Sequence, residues 1–351
     1  MDDERAAPAG WYSDDADQGS MRWWDGSRWT DARKPASDAP AVAVERIVYR
    51  LPNADGTPSV DAVREAERLE EIAEVVGRPT RVGRISDRTL DVELVPEPDH
   101  PTGSPAVSVR ARGRVIGYLP DSYRGALDRV AASRAVATTT ARLRAERTEE
   151  GLRASLQVAL VAPELLVPLN DPPQERYSIL PWGRALQVQR EDEHFARLAA
   201  VVPPGGRGLL LVTLHTVGDL VEVRLDGDRV GELSAAMSEQ FEPTLRHLSS
   251  LGLTAVAYCA VTGSPLKAEL ALQAAKAAEL PAEWVDGRPV TLPRLSSGAA
   301  EAPPAYIAPL RPTPRTSEAV ARSTRRVVAW VVVGVSLLVG LSSWIIGDLL
   351  N

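Results

Sequence analysis

The side chains that usually carry catalysis or metal binding are few in this chain and stand far apart. There is one cysteine, Cys259, inside the apolar run 255–261. A lone thiol excludes an intramolecular disulfide framework and a cysteine-based zinc site, and it fits a reducing compartment. In an apolar run it reads as a buried structural thiol. His100, His194, His215 and His247 have no ligand spacing, and His194 follows the acidic turn Glu191-Asp192-Glu193. No P-loop, HExxH, CxxC, GxSxG or complete GxGxxG pattern occurs. Gly205-Gly206-Arg207-Gly208 leads into the strand-like run 209–214 instead of opening a helix, so it reads as a loop and not a phosphate cradle. The expectation is therefore a protein that is not an enzyme and needs no cofactor or metal.

Residues suited to binding are easier to find. Four of the eight tryptophans, Trp11, Trp23, Trp24 and Trp29, fall in the first thirty positions. Arg110, Tyr118 and Arg224 alternate with apolar neighbours in two similar segments. Arginine is a weak signal here, because 37 of the 40 basic residues are arginine and only Lys34, Lys267 and Lys276 are lysine. The formal net charge of −7 speaks against wholesale nucleic-acid binding.

The elements that must position these residues fall into five stretches: a Trp-rich β mini-domain (8–32), two related modules (41–162 and 176–292), a proline-rich linker (293–324) and a transmembrane helix (327–347). In the first, the runs 21–24 and 28–30 flank Asp25-Gly26, the signature of a tight hairpin turn, and Gly10-Trp11-Tyr12 supplies a third short strand. So small a unit needs large aromatic side chains as its core. The same tryptophans are candidates for a platform that takes a proline-rich peptide, and the chain's own linker offers one.

An internal repeat relates the modules. Val107 to Leu119 aligns with Val221 to Leu233 at a constant offset of 114, keeping Gly113 with Gly227 and Gly117 with Gly231. Both segments read strand, glycine turn, strand. Each precedes an amphipathic helix, with Tyr123, Leu127 and Val130 in the first and Met237, Phe241, Leu245 and Leu248 in the second. Further strands are expected at 42–50, 90–95, 137–142, 152–161 and 255–261. Helices are expected at 60–76, stopped by Gly77, and at 265–280, capped by Ser264 and Pro265. The fold class expected is α+β: small β-barrel-like modules with short helices and one C-terminal membrane span.

That span, 327–347, holds 21 uncharged residues, about 31 Å as a helix and close to the hydrocarbon thickness. Trp330 and Trp344 stand near its ends. Arg322, Arg325 and Arg326 precede it and Asp348 follows, so the positive-inside rule places the N-terminal bulk in the cytoplasm of a cell whose inner membrane it would cross once. The first thirty residues hold no apolar run of signal-peptide type. Ser336 and Gly340 form a small-xxx-small pair suited to pairing two copies. The expected partners are a lipid bilayer and an unidentified protein, with a homodimer as a further option and nucleic acid disfavoured.

Two stretches resemble known families. The N-terminal pattern Gly10-Trp11-Tyr12, Arg22-Trp23-Trp24-Asp25-Gly26, Trp29-Thr30 resembles a small Trp-rich domain of unknown function found at the N-terminus of many actinobacterial membrane proteins, which implies a bacterial, membrane-associated protein. In the first module, Glu97-Pro98-Asp99-His100-Pro101, Pro105 to Val109 and Ile116-Gly117-Tyr118-Leu119-Pro120 resemble HIRAN domains, and the second module keeps a weaker version. That resemblance implies compact β-barrels and binding of single-stranded DNA ends. His100 stands where that family usually has asparagine, and Thr102 or Gly103 where it has aspartate. The function expected is a non-enzymatic, C-terminally membrane-anchored binding or scaffold protein facing the cytosol. The alternative is a membrane-tethered, HIRAN-type binder of single-stranded nucleic acid.

Overall fold

A computed structural model of the chain describes residues 10–14, 17–25, 28–35, 47–77, 81–98, 100, 105–264 and 266–295. Three strands, β1 (Gly10–Asp14), β2 (Asp17–Trp24) and β3 (Trp29–Pro35), form an antiparallel sheet in chain order. The β2–β3 connection is closed by Asp25, whose amide donates to the Arg28 carbonyl and whose carboxylate accepts from the Arg28 amide.

Module 1 holds β4 (Ile47–Arg50), β5 (Val60–Asp61), a 3-10 turn (Glu65–Arg68), α1 (Leu69–Val76), β6 (Ile85–Glu97), β7 (Ala106–Ala111), β8 (Arg114–Tyr118), α2 (Arg124–Ala132), β9 (Ala135–Arg147) and β10 (Leu152–Val158). The strand order is β5-β10-β9-β6-β7-β8, and β4 pairs in parallel with β9. Module 2 repeats this plan with β11 (Tyr177–Ile179), β12 (Ala185–Gln187), a 3-10 turn (Glu191–His194), α3 (Phe195–Ala199), β13 (Arg207–Val217), β14 (Leu220–Leu225), β15 (Asp228–Glu232), α4 (Ala235–Ser250), β16 (Thr254–Ser264) and β17 (Lys267–Gln273). Its order is β12-β17-β16-β13-β14-β15, with β11 parallel to β16. Short helices at 277–279 and α5 (Ala282–Val285) follow.

Each seven-stranded sheet curls as a half-barrel. One reciprocal backbone pair brings its two edges together, Val63 with Tyr118 in module 1 and Gln189 with Glu232 in module 2. The repeat is compatible with these two half-barrels. The glycines explain part of the pattern. Gly113 and Gly227 have φ of +75° and +93°, each preceded by a second positive-φ residue, Arg112 or Asp226, so both hairpins use the turn that matches strand twist. Gly117 and Gly231 serve closure: a Cβ at Gly231 would lie 2.4 Å from Val188 Cγ1 and 2.8 Å from the Gln189 carbonyl.

Runs 209–212 and 256–259 are apolar on both sheet faces because both faces are covered. Leu210, Val212, Ala257 and Cys259 pack with Phe241 and Leu245 inside module 2, while Leu209, Leu211, Val256 and Tyr258 join the core that contains Tyr49, Leu166 and the rest of module 1. Tyr177 locks this junction by exchanging hydrogen bonds with the Leu292 backbone.

Several expectations are corrected. The fold is mostly β, with 44% of the described residues in strands and few helices, and not α+β. The segment expected as a helix over 265–280 is instead β17. Lys267, Glu269 and the buried Ala268, Leu270 and Leu272 alternate, and pairing with β16 overrides their helix propensity. The segment 60–76 breaks into β5, a 3-10 turn and a shorter α1, ending at Gly77 with φ +80°. The helix expected over 327–347 lies outside the described residues. Among the described residues no helix is long and apolar enough to cross a membrane; the longest, α4, has 16 residues. The membrane-anchored, single-pass reading and the plasma-membrane placement therefore lose their support and are withdrawn. Most of the linker from 296 onward also lies outside the described residues.

Candidate functional site

Alternation along β1 and β2 divides the aromatic residues between two faces. Trp11 and Trp23 are cross-strand partners on one face, with ring centroids 5.3 Å apart. Tyr12 and Trp24 point the other way and pack edge-on against Trp29 at 5.9 and 5.4 Å. The first pair does not form an open platform. Trp11 and Trp23 are 7% and 5% exposed because they pack on Val115 and Tyr118 of β8 in module 1.

Beneath Trp23 lies a cluster of polar groups that the fold has taken out of water. The Trp23 ring meets the His100 ring edge-on at 5.9 Å, and His100 meets Tyr118 at 5.4 Å. The Tyr118 hydroxyl lies 3.3 Å from His100 Nε2 and accepts from Arg68 Nη2 at 3.2 Å. The other terminal nitrogen of Arg68 donates to the Asp25 carbonyl of the Trp-rich unit at 3.0 Å. The guanidinium of Arg64 lies over the Tyr118 ring, 4.7 Å from its centroid. Behind His100, Glu97 accepts from Arg110 at 2.6 Å, and Arg110 also donates to Ser108 Oγ at 2.9 Å. Arg68, Glu71, Glu97, His100, Ser108, Arg110 and Tyr118 are all buried. Within this set Arg68 Nε has no hydrogen-bond partner, and Glu97 Oε2 faces His100 Nε2 at 3.8 Å, beyond hydrogen-bond distance.

Burial dominates the titration of Tyr118 and His100. It pushes the Tyr118 hydroxyl up and lowers His100, and Glu97 offsets only part of the latter effect. For Arg68, burial disfavours the charge, but Tyr118, Glu71 and Asp25 outweigh it and its pKa rises. Arg68 is thus a permanent cation at the seam, held between a phenol and a carbonyl.

The sequence-derived site residues separate into three groups. Trp11, Trp23, Tyr118 and Arg110 come together here. Trp24 and Trp29 belong to the far face of the Trp-rich sheet. Arg224 sits in module 2 at the position equivalent to Arg110, half-buried and paired with Glu222 at 2.7 Å. Glu97 and His100 enter the sequence reading only through the 97–101 stretch that resembles HIRAN domains, and Arg64 and Arg68 do not enter it at all. The spacing of the two arginines, one helical turn apart, is a local signal that is lost among so many arginines.

Elsewhere the chemistry is spent on structure. Cys259 is fully buried and its thiol is pushed up to about 12 by burial. Gly206 (φ +71°) makes a turn into β13, bonded to the Pro203 and Gly263 backbones. A cavity of about 640 Å³ opens between the modules beside Tyr49, Asp128, Arg129, Asn170, Leu211 and Leu292. Arg129 there donates to the Pro168 carbonyl, and Asn170 pairs both ways with the Leu211 backbone. Among the described residues no group of three or more metal-ligating side chains converges.

Residues 9–42 match the model of a protein family of unknown function, DUF2510, consistent with an N-terminal domain of that kind spanning β1–β3. No curated protein and no solved structure matches the chain.

Proposed function

We propose that this is a non-enzymatic binding or scaffold protein whose working surface is the polar and aromatic face of module 1, formed by β7, β8 and the turn that carries Arg64 and Arg68. The observation that carries this reading is the grip on Trp23 and the Asp25 carbonyl. Buried charges destabilise a fold unless they are well partnered. The half-barrel does not require this particular set, since module 2 builds the same framework with a different one, Glu232 in place of Tyr118 and Glu222 in place of Ser108. A cluster that is costly and dispensable for folding is best accounted for by recognition. The test is capture of crosslinked partners with the full chain. Tyr118→Ala should lose the partners that the unaltered chain retains, and Glu232→Ala should keep them. Identical capture by both variants would refute the assignment of the surface.

A second reading is favoured by one observation. The stretches that resemble HIRAN domains, 97–101 and 116–120, contribute Glu97, His100 and Tyr118 to this same face. Single-strand binding would use stacking on Tyr118 with arginines beside it, and it would weaken as salt rises. With Trp23 over the site, we expect the full chain to bind a short oligonucleotide with a free 3′ end no better than about micromolar near physiological salt. Fluorescence anisotropy at several salt concentrations measures this. Nanomolar binding that disappears in Tyr118→Ala would promote the second reading over the first.

A further inference from the structure

The contact between the Trp-rich unit and module 1 is non-covalent along the described chain. Only residues 36–46 connect β3 to β4, an eleven-residue join. The unit has three short strands, and on the face that carries Trp11 and Trp23 it adds only Met21 and Ala32 to their packing. A sheet of this size is marginal in water without something to pack against. Its host is chemically selective, requiring an indole against His100, Val115 and Tyr118 and a main-chain carbonyl on Arg68 two residues later. Module 2 offers no equivalent host. Its matching face carries Glu222 and Glu232, each held by exposed or half-buried arginines.

We infer that this face of module 1 is a receptor for the Trp-rich unit of a second copy of the chain as well as for its own, the partner copy supplying Trp23 and the Asp25 carbonyl to complete the site. This deepens the reading of module 1 as the binding surface, on which it rests, by naming the partner it fits. In a single closed chain the tethered unit competes at an effective concentration of about millimolar, as short joins provide, so the exchange is suppressed. Two chains with units released satisfy both sites by reciprocal docking, which closes as a two-fold pair without leaving an open surface. Arg68 Nε has no hydrogen-bond partner in the covered state, so polar capacity is left unmet there, which lowers the cost of uncovering it.

Complementation between two full-length variants tests this. Trp23→Ala has an intact receptor and a defective unit, while Tyr118→Ala has an intact unit and a defective receptor. Carrying different tags, they should form a mixed complex at least tenfold tighter than either variant forms with itself, with indole emission shifting toward the buried state on mixing. Trp11→Ala with Arg68→Ala provides a second pair in case one of the first fails to fold. If the variants melt cooperatively and their units are released, yet neither pair associates up to about 0.1 mM, a tenth of the tethered concentration, the inference is overturned. That result would leave the capture comparison between Tyr118→Ala and Glu232→Ala intact, so failure here is separable from failure of the proposed function.

Discussion

Modules 1 and 2 place different chemistry on the same framework. Both have a register shift in the second strand of the repeat, at Val109/Arg110 and Val223/Arg224, and both turn the hairpin through two positive-φ residues. Both reach their closing pair through an arginine with φ +63°, Arg64 or Arg190. In module 1 the arginine lies over a buried tyrosine, with the Trp-rich sheet covering the seam. In module 2 Arg190 reaches Glu232 at 3.5 Å, and Arg229 and Arg224 complete a network with Glu222 in which the carboxylates are largely buried and the arginines are one-third to one-half exposed. Backbone geometry is therefore not what separates a covered face from an open one. Two side-chain exchanges, Tyr118 for glutamate and Ser108 for glutamate, together with the buried His100, make one face able to hold an indole and give the other to carboxylate–arginine pairs.

The largest expected asymmetry follows directly. Tyr118 is 1% exposed and touches His100, Arg64, Arg68 and the Trp-rich unit. Its replacement by alanine should cost about 3–5 kcal/mol, as for other large buried rings. Glu232→Ala removes pairing to arginines that are one-third to one-half exposed, so its cost should stay near 1 kcal/mol. Chemical denaturation of the two variants measures both, and equal losses would break the comparison.

Closure reverses the order of sensitivity. A methyl group at Gly231 meets Val188 and the Gln189 backbone, whereas at Gly117 it meets the movable end of Leu156 at 3.0 Å. Gly231→Ala should therefore cost about 2–3 kcal/mol and Gly117→Ala about 1 kcal/mol. At the hairpin tips the modules should agree. Nothing lies within 4 Å of a Cβ at Gly113 or Gly227, so only the positive φ resists substitution. Valine at either tip should cost a similar amount, about 1–3 kcal/mol. Unchanged melting of both variants would count against a shared turn, and a large difference between them would show that the tips are not equivalent.

What was legible in the sequence was local. The glycine turns, the strands around them, the Asp25 hairpin and the apolar spacing of α4 at Met237, Phe241, Leu245 and Leu248 all depend on residues a few positions apart. The repeat was legible because offset 114 preserves β7–β8 and β14–β15 residue for residue. β17 was misread because Ala, Leu, Lys and Glu favour helices and only its pairing with β16 makes it a strand. The membrane span was read from composition alone, and it lies outside the described residues. The covered face was illegible for a different reason. Arg68 meets Asp25 across 43 positions and Tyr118 across 50. No periodicity joins such residues, and packing of the Trp-rich unit is needed to bring them together.

The same burial makes the cover sensitive to pH. His100 faces Glu97 from β6, Tyr118 from β8, Arg64, Glu67 and Arg68 from the 3-10 turn, and Trp23 from the Trp-rich unit. Burial first, and then the two arginines, depress its pKa below the ordinary 6.5, while Glu97 and Glu67 act in the opposite sense without cancelling them. The uncovered histidine, nearer its ordinary value, thus binds a proton more readily than the covered one. Linkage then fixes the sign: the cover is fully stable above about pH 6.5 and weakens as pH falls through the window below it. His215 in module 2 is depressed in the same direction by burial, so a global melting curve would mix the two contributions. The two histidine variants separate them, with indole emission as the readout, since Trp11 and Trp23 lie at the module 1 seam. Titrating the full chain from pH 7.5 to 5 should shift emission toward the solvated state. In His100→Asn that shift should shrink, and in His215→Asn it should persist unchanged. A shift of equal size in His100→Asn would mean that another group opens the seam.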